Sequence, residues 1–170
     1  MSRVSTCLHV PRPGLLIGAG GLALALGLLV YVADRDPSHA VWIPAVTVLA
    51  GSHLFGALGQ WLPSFVHPFA FSLFTVAVLP GSARPRYGAC VAWFAVNAAF
   101  ELGQHPQLRA PLADALRQLG PAPLATPLAN YFLHGTFDPG DLLAAALGAG
   151  AAAAWLRLTH GPSGEHEHVD

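Results

Sequence analysis

The sequence has no lysine, a single methionine and two cysteines in 170 residues. Charged residues make up 10% of the chain, against roughly a quarter in an ordinary soluble domain. So little charge cannot cover a water-exposed surface. It also excludes a disordered chain, which combines low hydrophobicity with high charge. Eight arginines stand against nine acids, for a formal net charge of −1, and no basic face emerges. That argues against nucleic acid as a partner. Cys7 and Cys90 flank the first apolar run and define no disulfide framework. Cys7 also precedes that run, whereas a lipidated cysteine would follow it. What the chain does have is apolar length: 54% of it is hydrophobic and the mean hydropathy is +0.50. The expected class is an all-α integral membrane protein, a small bundle of transmembrane helices.

Between Arg12 and Asp34 there is no charge, enough for roughly 33 Å of helix against a hydrocarbon core of about 30 Å. A signal peptide would be shorter, and cleavage after Ala33 would set Tyr31 at a small-residue position, so an uncleaved span is expected. Three later runs read as spans: His67 toward Arg84, Tyr87 to Glu101, and Asp141 to Arg157. The stretch Ala40–Leu62 is apolar enough to cross but contains Pro44, Gly51, His53, Gly56, Gly59 and Gln60. With four spans and the N-terminus inside, Arg3, Arg12, Arg84, Arg86 and Arg157 lie inside and Arg35, Arg109 and Arg117 outside. Five spans would divide the arginines evenly, so the positive-inside rule favours four. Ala40–Leu62 is then a broken, membrane-embedded or interfacial segment, with a fifth crossing as the alternative. Between the last two spans, Leu112, Leu116 and Leu119 share one helical face after Pro111, the pattern of a short helix lying in the interface. Tyr131 and Phe132 suit the same headgroup depth. Residues 1–158 thus read as one transmembrane domain, and 159–170 as a polar, disordered tail.

The short Arg84–Arg86 turn joins two spans, so His67, opening one, and Glu101, near the end of the next, lie at the same membrane surface. The following loop returns there, which brings Asp138 and Asp141 to that surface too. Asn97, Glu101 and His105 are spaced by four and Gln104 lies three beyond Glu101, so they share a helix face. A carboxylate at the membrane centre costs about 2.5–3.5 kcal/mol, less near the boundary, and usually faces a cavity or a polar partner. The competing reading makes Glu101 a helix-end residue reaching the headgroups, with Pro106 stopping the helix. In FDPGD, Asp138 suits the N-cap, Pro139 the first helical position and Asp141 the third, which capping alone would explain. A second acid beside Glu101 nevertheless needs a cation nearby. His134 and Thr136 are lesser candidates. No nucleophile accompanies the group, and the lack of HExxH excludes a metallopeptidase. Together a His, a Glu and two Asp could act as acid and base or hold a hard metal, though no metal or other cofactor is assigned.

The order of these motifs resembles that of the VanZ-like family of bacterial membrane proteins: HPFAFSLFTVAVL, a short basic turn, a span ending FELGQ, and GTFDPGDLLAAALGAG. The similarity covers about His67 to Trp155. It would match His67, Glu101 with Gln104, and Asp141 with Gly148 to the family's His, Glu-x-x-Gln and Asp-plus-small-residue motifs. The family's usual arginine before the Asp is missing from GTFDPGD, and Ala145 or a neighbour stands where an Asn is often found. The resemblance implies a multi-pass protein of the bacterial cytoplasmic membrane, associated through its named example with teicoplanin resistance and hence with envelope lipids or lipid-linked cell-wall precursors.

Three functions are then open. A binding or accessory protein would engage a lipid headgroup through His67, Glu101, Gln104, His105, Asp138 and Asp141. An enzyme would use Glu101 as acid or base on such a headgroup. A structural subunit would pair these polar residues with another membrane protein. The first is favoured, and an enzyme is the less favoured reading.

Overall fold

A computed structural model of the protein describes residues 13–34, 54–79, 83–119 and 122–159. These form six helices and no strand: α1 (Pro13–Asp34), α2 (Ala57–Val78), α3 (Ala83–Gly103), α4 (Arg109–Leu119), α5 (Ala122–His134) and α6 (Pro139–Thr159). The expected all-α architecture is therefore present among the described residues. Three helices, α1, α2 and α6, are long and apolar enough to cross a membrane. At 21 residues α3 equals α6 in length. Arg84, Arg86, Asn97 and Glu101 make it more polar.

The central element is α2, which packs against α1, α3 and α6, while α3 also packs on α6 and α4 pairs with α5. A buried cluster at one end of the bundle joins Leu16 of α1, Leu73 and Val76 of α2, Ala89 and Cys90 of α3, and Ala152 and Leu156 of α6. The beginnings of α1 and α3 and the ends of α2 and α6 therefore meet there. It follows that α2 and α6 run parallel, with α1 and α3 opposed to them. The opposite end gathers the end of α1, the starts of α2 and α6, the end of α3, and α5.

In a bilayer such helices would gain little from hydrophobic burial against one another, and close packing of small residues would hold them. Gly148 lies directly on the Phe65 backbone, where a side chain would strike the carbonyl group, and this lets α6 cross α2 at close range. Gly20 and Gly27 do the same for α1, against the Phe74 ring and Val66. Between α2 and α3, Trp93 donates its indole N–H to Thr75 at 2.8 Å and stacks on Phe71 with ring centroids 4.8 Å apart. Large apolar side chains such as Leu15, Leu22, Val91, Leu143 and Leu158 point outward. Water would penalise that surface; a bilayer would not.

The structure corrects several element boundaries. The helix expected to open at His67 begins ten residues earlier, at Ala57, and carries Pro63 and Pro68 within it. Neighbouring contacts override the local breakers: Phe55 donates its backbone N–H to both carboxylate oxygens of Asp34 at 3.2 Å, and Gly59 fits against the same side chain. The last residues of the Ala40–Leu62 stretch thus belong to α2, and 40–53 lie outside the described residues. So do 160–170 of the proposed tail. The expected short helix is α4, starting at Arg109, with Leu112 and Leu116 half-buried but Leu119 exposed at its end. A further helix, α5, fills what the sequence presented as a Pro- and Leu-rich loop.

Candidate functional site

Helix α3 ends at Gly103, and the next amides tighten into i→i+3 bonds, Gln104 N–H to the Glu101 carbonyl and His105 N–H to Leu102, each at 3.0 Å. Pro106 is the reason, since the residue before a proline is pushed away from helical geometry. This turn separates residues that a continued helix would have aligned. Glu101 stays on the inner face with Asn97, and Gln104 folds inward and is only 7% exposed. His105 leaves the face, packs its ring edge-on against Phe137 with centroids 5.1 Å apart, and accepts the Gln107 N–H at 3.3 Å. Its expected place in the cluster is not observed.

The start of α6 is built around Asp138. Its Oδ1 accepts the Gly140 N–H at 2.8 Å, an N-cap contact that satisfies one of the free amides of the first turn. Its Oδ2 accepts the indole N–H of Trp61 at 3.1 Å, which ties α6 to the first turns of α2. Its backbone N–H donates to Glu101 Oε1, which ties α6 to the end of α3. One turn inward, Asp141 accepts the Ser64 hydroxyl at 2.7 Å. The capping explanation for Asp138 is thus geometrically sound, and it accounts neither for the Glu101 bond to the Asp138 amide nor for the Asp141 bond to Ser64 of α2.

Gln104 fastens α5 to this group. Its Nε2 donates to the Tyr131 hydroxyl at 2.9 Å and to the Phe100 carbonyl at 3.5 Å. Phe100 meets Tyr131 edge-on and stacks on Phe132, each with centroids 5.7 Å apart. Gly103 leaves no room for a side chain beside Phe132, and Gly135 leaves none beside Gln104. Close approach, rather than turn conformation, requires glycine at both positions.

These contacts border an open-mouthed cavity of about 530 Å³. His67, Glu101, Gln104 and Asp141 all line it, as do Asn97, His134 and Thr136. Asp138 braces its wall through Glu101 and Trp61. His67 therefore reaches the site from the middle of α2, not from a helix start. Ser64, Tyr31 and Tyr131 also line the cavity and were not singled out from the sequence. The serine lies three residues before His67, on the same helix face, a spacing that would have revealed it had α2 been extended toward Ala57. Tyr31 and Tyr131 carry no such signal.

Among the described residues, the lining contains the carboxylates of Glu101 and Asp141 and no arginine. Among the described residues, no three His, Cys, Asp or Glu side chains are arranged to hold a metal ion together. Cys90 lies in the buried cluster at the far end of the bundle, and Ser64 donates to a carboxylate rather than to a histidine. The site can accept hydrogen bonds, and among the described residues no serine or cysteine is paired with a histidine as an activated nucleophile would be. Comparison of the chain with known protein families, curated proteins and solved structures finds no match.

Proposed function

We propose that the protein is a four-span component of the bacterial cytoplasmic membrane whose cavity binds the headgroup of an envelope lipid or lipid-linked cell-wall precursor. The spans are α1, α2, α3 and α6. The arginine-bearing start of α3 and end of α6 face the cytoplasm, in keeping with the positive-inside rule. The cavity end then faces outward, with α4 and α5 lying along the outer surface. The single observation carrying this reading is the convergence of His67, Ser64, Glu101, Gln104 and Asp141 on one cavity from separate elements. Polar groups kept at membrane depth in this way mark a ligand site more often than a packing solution. The VanZ-like order of motifs supports the same reading and supplies its envelope context.

The test is native mass spectrometry of the detergent-extracted protein beside a Glu101→Gln, Asp141→Asn double variant. Wild type is expected to retain a lipid or lipid-linked species that the double variant loses. Identical spectra would refute the ligand site and turn the polar group into helix-end and inter-helix fastening.

A further inference from the structure

We infer that a second lipid site lies on the outside of the bundle, a groove between α3 and α6 that seats one acyl chain of an anionic phospholipid and holds its phosphate at Arg157. The inference takes from the reading above only that both helices span the bilayer; it makes no use of the polar cavity. Two open recesses, of about 520 and 310 Å³, share Tyr87 and Ala153 in their linings and so form one continuous groove. One wall is the face of α3 that carries Tyr87, Val91 and Phe94, spaced by four and three. The floor is α6, where Ala146, Gly150 and Ala154 recur at every fourth position. These small residues are not spent on packing within the bundle. Gly148 and Ala152 are buried against it, whereas Ala146, Gly150 and Ala154 are exposed. A Cβ at Gly150 would meet nothing within 4 Å. Elsewhere on α6 the outward positions carry large apolar side chains, Leu143, Leu147 and Leu158, and the groove interrupts that surface.

Length and charge choose the occupant. From Ala146 to Arg157 the groove follows roughly 16 Å of helix, about half of a hydrocarbon core of about 30 Å. That is the depth of one leaflet and suits an acyl chain. A neighbouring transmembrane helix would run on past Ala146, where Leu143 stands exposed one turn away. At the other end Arg157 lines the recess and is exposed, with no hydrogen bond or ion pair to a described residue. Among the described residues, no acid lines either recess. A guanidinium at the end of an apolar groove is complementary to a phosphate that carries an acyl chain. Tyr87 beside it is a residue type suited to headgroup depth. A second copy packed on this face in the same membrane orientation would set Arg157 against Arg157 across a two-fold axis, which like charge opposes. The helix dipole favours a cation in the last turn of α6, but it gives no reason for a groove that leads to it.

The experiment incubates the purified full chain in detergent with equimolar dioleoyl phosphatidylglycerol and dioleoyl phosphatidylcholine and reads the retained lipid by native mass spectrometry. It is run on wild type and on the Glu101→Gln, Asp141→Asn double variant, in which lipid held outside the polar cavity remains. In both, phosphatidylglycerol should be retained roughly fivefold over phosphatidylcholine, the worth of one arginine beside an anionic headgroup. Arg157→Gln should abolish that preference and leave phosphatidylcholine bound. Gly150→Leu, which fills the groove from a position with free space around it, should remove both lipids with the helical circular dichroism unchanged. Leu147→Phe, elsewhere on the exposed surface of α6, should remove neither. Equal retention of the two lipids, a preference that survives Arg157→Gln, or retention that survives Gly150→Leu would each overturn the inference. A dimer that Gly150→Leu abolishes would overturn it in favour of a second copy. The polar cavity is judged separately, by the lipid lost between wild type and the double variant.

Discussion

The close crossing of α2 and α6 at Gly148 holds together the two helices that join Ser64 to Asp141, and one methyl group tests it. A Cβ built on Gly148 would overlap the Phe65 carbonyl oxygen and stand 2.9 Å from its carbon and 3.2 Å from its Cα. Comfortable carbon contacts are about 3.5–4.0 Å, so the helices would have to separate by roughly 1 Å at this point. Because the obstacle is backbone, no rotamer change relieves it, and the cost belongs at the upper end of overpacking, about 3 kcal/mol. Replacing a helical glycine by alanine returns about 1 kcal/mol, for a net loss of about 2 kcal/mol. Gly150, two residues on, has nothing within 4 Å of its Cβ position. Gly150→Ala should therefore gain about 1 kcal/mol through the same propensity effect. The two single substitutions differ by about 3 kcal/mol, more than a hundredfold in the unfolding equilibrium. Unfolding in mixed micelles with increasing dodecyl sulfate, followed by circular dichroism, would measure both. Equal stability of Gly148→Ala and Gly150→Ala would refute the crossing and, with it, the alignment of Ser64 with Asp141.

Glu101→Leu strands the Asp138 amide and should destabilise the protein by about 1–3 kcal/mol, while Glu101→Gln keeps an acceptor and should lose under about 1 kcal/mol in the same assay. Equal losses would show that the amide bond does not hold α3 to α6. Orientation is open to labelling: a Thr136→Cys variant in a Cys7→Ser, Cys90→Ala background should react with a membrane-impermeant maleimide in intact cells. Reaction only after permeabilisation would put the cavity on the cytoplasmic face and overturn the proposed topology.

Much of this protein could be read without coordinates wherever the signal was local or was set by solvent. A low content of charge points to a membrane class, because a surface poor in charged and polar side chains is poorly solvated by water, and three helices are long and apolar enough to cross. A charge-free run bounded by Arg12 and Asp34 marks α1, and FDPGD marks the start of α6, since Asp, Pro and Asp each satisfy an identifiable need of a first helical turn. That Glu101, Gln104, Asp138 and Asp141 share one end also follows from counting how often the chain turns back, whereas His67, read as the opener of a span, lies in the middle of α2.

Tertiary contacts decided the rest. The start of α2 depended on Asp34, Asp138 and Asp141, which hold its first turns from other helices and outweigh Gly59, Gln60 and Pro63. With that start came Trp61 and Ser64. His105 shares a helical spacing with Glu101 and still falls outside the cavity, because the chain tightens before Pro106. Tyr131 is an ordinary interfacial aromatic in the sequence and Tyr31 a residue within an apolar run, and both are cavity walls in the fold. Spacing along the chain determines which side chains can share a face; only the packing of helices distant in sequence determines which of those faces close around a common space.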